Sequence, residues 1–120
     1  MLQQTLSDSV TIISINRDEV LARLRAIARR IREARPEVAE VRVFGSLARG
    51  DQVGSSDVDV LIVLHEPLPG DLIEQIRAFY TYFDLPLGVD ILVYTQTQLA
   101  EQLQTGDDFA RKMWRESAVL

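Results

Sequence analysis

The stretch VFGSLARGDQVGSSDVDV at residues 43–60 decides how this chain folds. A short run of β-branched and aromatic residues at 41–44 predicts a strand that ends at Gly45. Gly45 has no Cβ, so the backbone can turn sharply there and a bulky anion can come close. The hydroxyl and the backbone N–H of Ser46 can both donate to phosphate oxygens. The sequence therefore predicts a phosphate-binding turn at the end of the first strand.

A short helix is expected directly after this turn. Residues 47–49 can begin a helix whose N-terminal amides face the same anion, and Gly50 ends it. The guanidinium of Arg49 is available for a bidentate phosphate contact. In the polar loop at 51–56 that follows, Ser56 is a further candidate for phosphate contact, with capping of the loop as its alternative role. Turn, helix and loop together form the anion-binding half of the predicted site.

Two aspartates, Asp57 and Asp59, lie at the start of the next apolar run, DVDVLIVL. Apart from Asp59, residues 58–64 are apolar, which is typical of a strand covered on both faces. An ionised carboxylate in such a strand is costly unless a positive charge neutralises it. At about 3.3 Å of rise per residue, the two carboxylates project from one face about 6.5 Å apart. Hard oxygen ligands in this arrangement can hold Mg²⁺ between themselves and the phosphates of a nucleotide.

The order of the elements predicts a mixed sheet. The first two strands must be antiparallel if the Gly45 turn is to meet aspartates near the start of the second strand. Apolar spacing predicts a helix at 71–83, and a third strand follows at 89–93. A strand, helix, strand crossover makes the third strand parallel to the second, so Asp90 can join the other carboxylates across about 4.8 Å. The apolar positions expected on the helix are Leu72, Ile73, Ile76, Phe79, Tyr80 and Phe83.

These motifs resemble the signature of the polymerase-β-type nucleotidyltransferases, specifically the minimal nucleotidyltransferase (MNT) family. The matching segments are GSLARGD at 45–51, SDVDV at 56–60 and VDI at 89–91, and the likeness extends from about residue 41 to the end of the sequence. The resemblance implies an α+β, polymerase-β-like fold with a mixed β-sheet and flanking helices. The combined pattern is far more specific than a lone glycine motif.

The resemblance also implies roles for individual residues. Asp57 and Asp59 would bind two Mg²⁺ ions that bridge to ATP, the nucleotide donor. Asp90 would complete the second metal site and help to deprotonate the attacking hydroxyl. Gly45 and Ser46 would hold the β- and γ-phosphates, with Arg49 as the nearby cation. The reaction expected from these roles is nucleotidyl transfer.

The acceptor of the nucleotide is expected to come from another molecule, since the sequence ends soon after the predicted core. In the MNT family the partner is commonly a HEPN-domain RNase toxin. The resemblance implies an antitoxin that transfers AMP to a tyrosine hydroxyl of that toxin. Two alternatives remain: transfer to a small molecule such as an aminoglycoside, by an oligomer whose second subunit completes the pocket, and neutralisation of the toxin by binding alone. The metal triad of Asp57, Asp59 and Asp90 weighs against binding alone.

Composition limits the organisation of the chain. With 120 residues and 47% hydrophobic content, it is expected to form a single domain over 1–120, with an N-terminal arm at about 1–15, a catalytic core at about 41–94 and C-terminal helices at about 95–118. The absence of cysteine fits a cytoplasmic protein, and no membrane span is expected. A net charge of −5 argues against stable nucleic-acid binding, and homo-oligomerisation is left open.

The first helix is predicted to begin at Asn16, which forms a capping box with Glu19, and to end at Pro36. Its buried stripe is expected to be Val20, Leu24, Ile27 and Ile31. The arginines of this segment form either a solvated surface or a surface for an acidic partner or an RNA. These arginines are Arg17, Arg23, Arg25, Arg29, Arg30, Arg32 and Arg35.

The C-terminal third is predicted to hold two helices. The first runs from a Thr95 cap to Leu103, and the second spans residues 107–116. The side chains of Phe109, Met113 and Trp114 are expected to pack on the sheet, whereas an exposed Trp114 would mark an interface. His65, the only histidine, is interpreted as a strand-end residue and not as a catalytic base.

Overall fold

The computed structural model describes residues 16–50, 57–106 and 108–120. The predicted N-terminal arm, the loop at 51–56 with Ser56, and Asp107 lie outside the described residues. The described elements are, in chain order, α1 (Arg17–Ala34), β1 (Val38–Phe44), α2 (Gly45–Arg49), β2 (Val58–Leu64), α3 (Leu72–Tyr80), β3 (Val89–Thr95), α4 (Gln96–Gln104), α5 (Asp108–Glu116) and β4 (Ala118–Val119).

The four described strands form one mixed sheet in the order β3-β2-β1-β4. Strand β1 is antiparallel to β2, and β2 is parallel to β3, so both predicted strand directions are confirmed. The short strand β4 was missed by the sequence analysis, which assigned residues up to about 118 to helices. It pairs antiparallel with β1, with Ala118 opposite Val43 and Val119 opposite Arg42. The α+β fold class with flanking helices is confirmed.

Residues of the strands alternate between two faces of the sheet, each covered by different helices. On one side, Val58, Val60 and Ile62 of β2 pack in one core with α1 and with Phe79 of α3; we call this the α1 face. On the other side, the core contains Leu61 and Val63 of β2 together with Leu99 of α4 and Met113 of α5; we call this the α5 face. Because successive side chains of a strand point to opposite sides, Asp59 belongs to the α5 face.

Helix α1 has the predicted buried stripe and one of the two hydrogen bonds of the predicted capping box. The Asn16 side chain accepts a hydrogen bond from the backbone N–H of Glu19 at 2.8 Å, and the helix ends at Ala34. The four predicted stripe residues are at most 3% exposed. Several of its arginines contact the rest of the chain: Arg30 pairs with Asp84 at 3.6 Å, and Arg32 donates to the carbonyl of Leu120 at 3.4 Å. These contacts indicate that some of the arginines hold the helix against the rest of the chain.

Helix α3 is shorter and less buried than its apolar pattern predicts. It spans Leu72–Tyr80 instead of 71–83, and a capping box between Asp71 and Glu74 begins it. Phe79 is fully buried, but Ile73 is 65% exposed. Leu72 and Tyr80 are likewise exposed, at 56% and 51%. Helix α3 packs beside β3, which is an edge strand among the strands that the structure describes, so no described strand covers its outer side.

None of the helices in the described part of the chain is both long and apolar enough to cross a membrane.

Candidate active site

The glycine turn after β1 lies directly against Asp59. Phe44 at the end of β1 is the register partner of Asp59 in β2. Gly45 follows with φ of 74°, a left-handed conformation that residues with a Cβ rarely adopt. A Cβ on Gly45 would overlap the Oδ2 atom of Asp59. The absence of a side chain at this position therefore allows the carboxylate to sit against the turn.

Asp59 and Asp90 lie side by side on neighbouring parallel strands. They are register partners of β2 and β3, so both side chains project to the α5 face about 4.8 Å apart at the backbone. Asp57 precedes β2, and its Oδ1 atom lies where a Cβ of Gly88 would be. Gly88 was not predicted as a site residue from the sequence. It could have been recognised as a glycine immediately before the strand that carries the third aspartate.

The three carboxylates repel one another. The pKa of Asp59 is raised above its ordinary range, chiefly by burial and then by the negative charges of Asp90 and Asp57, while Arg49 acts in the opposite direction. A bound cation would relieve this repulsion, and carboxylate oxygens are the ligands that Mg²⁺ prefers. The donor chemistry and the charge therefore fit a magnesium ion. Among the described residues, no three Asp, Glu, His or Cys side chains are arranged to hold a metal ion by themselves.

A cavity of about 450 Å³ joins the turn to the strand carboxylates and to helix α5. Its polar lining includes Gly45, Ser46 and Arg49, together with Asp59 and Asp90. The cavity thus brings together five of the seven residues proposed from the sequence. Asp57 does not line it, and Ser56 lies outside the described residues.

Helix α5 supplies a wall of this cavity that the sequence analysis did not identify. Phe109, Lys112, Met113 and Glu116 line it. The carboxylate of Glu116 accepts a hydrogen bond from Nη1 of Arg49 at 3.0 Å, which ties the end of α5 to the end of α2. A phosphate in the cavity would compete with Glu116 for this guanidinium.

Only part of the predicted packing of α5 is correct. Met113 is buried on the sheet, as expected, and Trp114 is half-buried with Arg42 stacked on its ring at 4.0 Å. Phe109, however, is 57% exposed, so its predicted packing on the sheet is wrong. Phe109 lies near the start of α5 and lines the cavity, where the described side chains leave the sheet uncovered.

Arg17 holds helix α2 in place. Its Nε donates to the carbonyl of Leu47 at 2.8 Å, and its Nη2 donates to the carbonyl of Ala48 at 3.3 Å. The last carbonyls of a helix have no partner within that helix, so this arginine satisfies two of them. From the sequence, Arg17 was only one of the arginines of the first helix, because nothing in the neighbouring sequence indicates a contact with a residue thirty positions away.

Comparison with known proteins identifies the family of this chain. The family model described as a nucleotidyltransferase domain matches residues 24–120, and the chain belongs to this family. No curated protein matches the chain at a significant level. The family membership confirms the class expected from the sequence, a nucleotidyltransferase.

Solved structures resemble this chain to different degrees. A protein from Sulfolobus solfataricus assigned as a nucleotidyltransferase is 17% identical, with a TM-score of 0.63 over 96% of this chain and 90% of its own. A protein assigned as a minimal nucleotidyltransferase is 26% identical, with a TM-score of 0.59 over 89% of this chain and 98% of its own. A toxin–antitoxin structure with AMP-PNP is 17% identical, with a TM-score of 0.49 over 88% of this chain and 72% of its own.

Proposed function

We propose that this chain is a magnesium-dependent nucleotidyltransferase that transfers AMP from ATP to a hydroxyl of a partner protein. The observation that carries the proposal is the contact between the Gly45 turn and Asp59, with Asp90 beside it in the same cavity. A turn suited to a triphosphate and a pair of carboxylates suited to a cation are what nucleotidyl transfer requires of a protein.

In this proposal Asp57, Asp59 and Asp90 hold the magnesium ions. When bound, magnesium would neutralise charge on the phosphates of ATP, while the acceptor oxygen bonds to the α-phosphorus and pyrophosphate leaves. The backbone N–H groups of the turn and the Ser46 hydroxyl donate to the β- and γ-phosphates, and Ser56 is proposed as a further contact. Arg49 adds positive charge beside Ser46.

Asp90 is the residue proposed to receive the proton of the acceptor hydroxyl. It is exposed and belongs to β3, one of the two edge strands of the described sheet. An acceptor can therefore approach it without crossing any of the strands described here. An exposed edge suits a large acceptor, such as a side chain presented on the surface of a folded protein.

The partner proposed from the resemblance to the MNT family is a HEPN-domain RNase toxin, with a tyrosine as the acceptor. The 26% identity to a protein assigned as a minimal nucleotidyltransferase supports the resemblance from which this partner is proposed. AMP on a tyrosine near the toxin's active site would add bulk and negative charge where RNA phosphates bind, and so inactivate the toxin.

Transfer of labelled nucleotide tests the proposal. The chain is incubated with Mg²⁺, a HEPN-domain RNase as the proposed partner and ATP labelled on the α-phosphate, and a parallel reaction carries the label on the γ-phosphate. Label from the α-phosphate alone is expected on a tyrosine of the partner. Asp59→Asn and Asp90→Asn should each reduce transfer by about 10²-fold or more. Asp84→Asn is the control, because this exposed carboxylate pairs with Arg30 and lies outside the cavity.

The alternatives give different results in the same assay. Label on an aminoglycoside and none on the partner would indicate a small-molecule acceptor. Neutralisation of the toxin that survives both the Asp59 and the Asp90 variants would overturn the catalytic proposal and leave inhibition by binding alone.

A further inference from the structure

The cavity has two chemically different ends, and helix α5 runs between them. Phe109, Lys112, Met113 and Glu116 are spaced so that they share one side of this helix. Glu116 contacts Arg49 and so marks the end beside the phosphate-binding turn. Phe109 comes seven positions earlier, about 10.5 Å along the helix at about 1.5 Å per residue.

The end at Phe109 is apolar. Leu92 of β3 and Met113 also line the cavity. Leu92 is two residues after Asp90 in β3, so both side chains project to the same face. The apolar surface is thus continuous with the carboxylates, and the cavity passes from charged groups to apolar ones along the sheet.

Phe109 is unusual because a large aromatic side chain is left 57% exposed on a cavity wall. Its neighbour on the same side of the helix, Met113, is only 3% exposed. Exposure of such a ring costs free energy unless a ligand covers it, since burial of apolar surface is favourable. The most direct covering group is one that enters the cavity with the phosphates.

We propose that Phe109 is the stacking platform for the nucleobase of the donor nucleotide. The proposal rests on the proposed function, because the triphosphate must lie at the Gly45 turn for the base to reach α5. Like the cavity, a nucleotide has two chemically different ends: charged phosphates at one end and a flat aromatic base at the other. The face of a base stacks on an aromatic ring without any match of hydrogen bonds at its edge.

Nucleotide binding to the chain alone, without its partner, tests this assignment. The affinities of ATP, GTP and inorganic tripolyphosphate are measured by titration calorimetry with Mg²⁺ present. Phe109→Ala should weaken the binding of ATP and of GTP by a similar factor of about 5- to 150-fold, which corresponds to about 1–3 kcal/mol for one stacked base. Tripolyphosphate has no base, so its affinity should not change. Phe109→Trp should keep most of the affinity for both nucleotides.

Leu72→Ala is the control. Leu72 is also a large exposed apolar side chain, 56% exposed, but it lies on α3 and does not line this cavity. Its replacement should leave all three affinities unchanged. Thermal unfolding of each variant checks that the fold is intact, and both exposed side chains should be removable with little change in the midpoint.

The outcomes separate this inference from the proposed function. Unchanged ATP affinity in Phe109→Ala, with weaker binding of the HEPN-domain protein, would overturn the stacking role and assign the ring to the partner surface. A loss confined to ATP would also overturn it, because stacking does not distinguish two purines so sharply. ATP binding that depends on Phe109, without transfer of AMP, would support the stacking role and contradict only the proposed reaction. Absence of ATP binding by the unsubstituted chain would overturn both.

Discussion

The two faces of the sheet differ in how completely they are covered. On the α1 face, the side chains of Leu24, Val41 and Ile62 are fully buried, and α1 lies over the strands. On the α5 face, buried residues such as Leu99 and Met113 cover only part of the strands, and the cavity occupies the rest. Strand β2 serves both faces, since Val60 packs under α1 while Asp59 lines the cavity.

Within this small sheet, the α1 face mainly stabilises the fold, and the α5 face carries the candidate active site. The α1 face positions the strands, and the uncovered part of the α5 face leaves room for a ligand beside the carboxylates. We therefore expect substitutions on the α1 face to change the free energy of unfolding while the site chemistry is retained. Substitutions around the cavity should change activity more than stability.

The largest effect is expected from deletion of a core side chain on the α1 face. Leu24→Ala should lower the free energy of unfolding by about 4 kcal/mol, and Leu99→Ala on the α5 face by about 2 kcal/mol, within the usual range for buried leucines. Leu24 is 0% exposed and Leu99 is 5% exposed, and the smaller core around Leu99 can relax toward the cavity. Urea denaturation measures both. Equal losses would contradict the difference between the faces.

The next effect concerns the contact between the turn and Asp59. Gly45→Ala places a Cβ against the carboxylate and should reduce kcat/KM by about 10²-fold, because a displacement of about 1 Å at a catalytic group has that cost. Gly50→Ala is the matched control. It has a similar φ of 87°, but the nearest atom to its Cβ would be Nε of Arg17 at 3.9 Å.

Both variants should lose about 1–2 kcal/mol of stability from the left-handed backbone conformation. Only Gly45→Ala should lose activity, as measured by the rate of AMP transfer per folded molecule. If Gly50→Ala loses as much activity, backbone strain alone would account for the effect, and the contact with Asp59 would have no special role.

The parts of the fold that the sequence predicts are those determined by local chemistry. The single aspartate in an apolar strand marked Asp59 as a site residue, and the cation expected there stays a prediction. The requirement that the Gly45 turn meet this aspartate fixed β1 and β2 as antiparallel. The parallel pairing of β2 with β3 followed from the connecting helix, and it brought Asp90 beside Asp59. Each of these steps depends on residue type and chain geometry within a few dozen residues.

The parts that the sequence did not predict depend on where elements lie relative to one another. The apolar pattern of α3 does not indicate that β3 is an edge strand, so the exposure of Ile73 was missed. The position of α5 over the cavity determines the exposure of Phe109, and its helical spacing is equally compatible with burial. Strand β4 has two residues, too few for a recognisable pattern.

A smaller effect is expected at Gly88, which lies against Asp57. Gly88→Ala would push the Asp57 carboxylate aside, but this side chain is exposed and can move. We expect about a tenfold loss of kcat/KM at low magnesium and a higher magnesium concentration for the half-maximal rate, because a change beside a metal ligand weakens the affinity for the metal. Steady-state rates across a magnesium titration measure both.

The control for Gly88 is a double-mutant cycle with Asp57→Asn. If the alanine acts by displacing the carboxylate, it should cause little further loss when that carboxylate is already an amide. A further tenfold loss in the double variant would instead assign the effect of Gly88 to the backbone before β3.

The smallest effect is the pH dependence of stability that Asp59 contributes in the metal-free protein. Because the folded state raises the pKa of Asp59 above its ordinary value of 3.8, the folded protein retains this proton at pH values where the unfolded chain has lost it. Stability therefore falls as the pH rises from the ordinary pKa through the raised one, and it is level above and below this window. Asp59 is partly solvated, so the effect should be smaller than about 1 kcal/mol.

Asp59→Asn removes this titration and isolates its contribution from that of the other carboxylates. With EDTA present, urea denaturation at a series of pH values should find that the variant gains stability relative to the unsubstituted chain as the pH rises through the window. Asp84→Asn, which removes an exposed carboxylate away from the cavity, should give no comparable gain. A constant difference between Asp59→Asn and the unsubstituted chain at all pH values would contradict the repulsion among the three aspartates. It would then remove the electrostatic reason for a cation on the α5 face, while the steric contact between Gly45 and Asp59 would still stand.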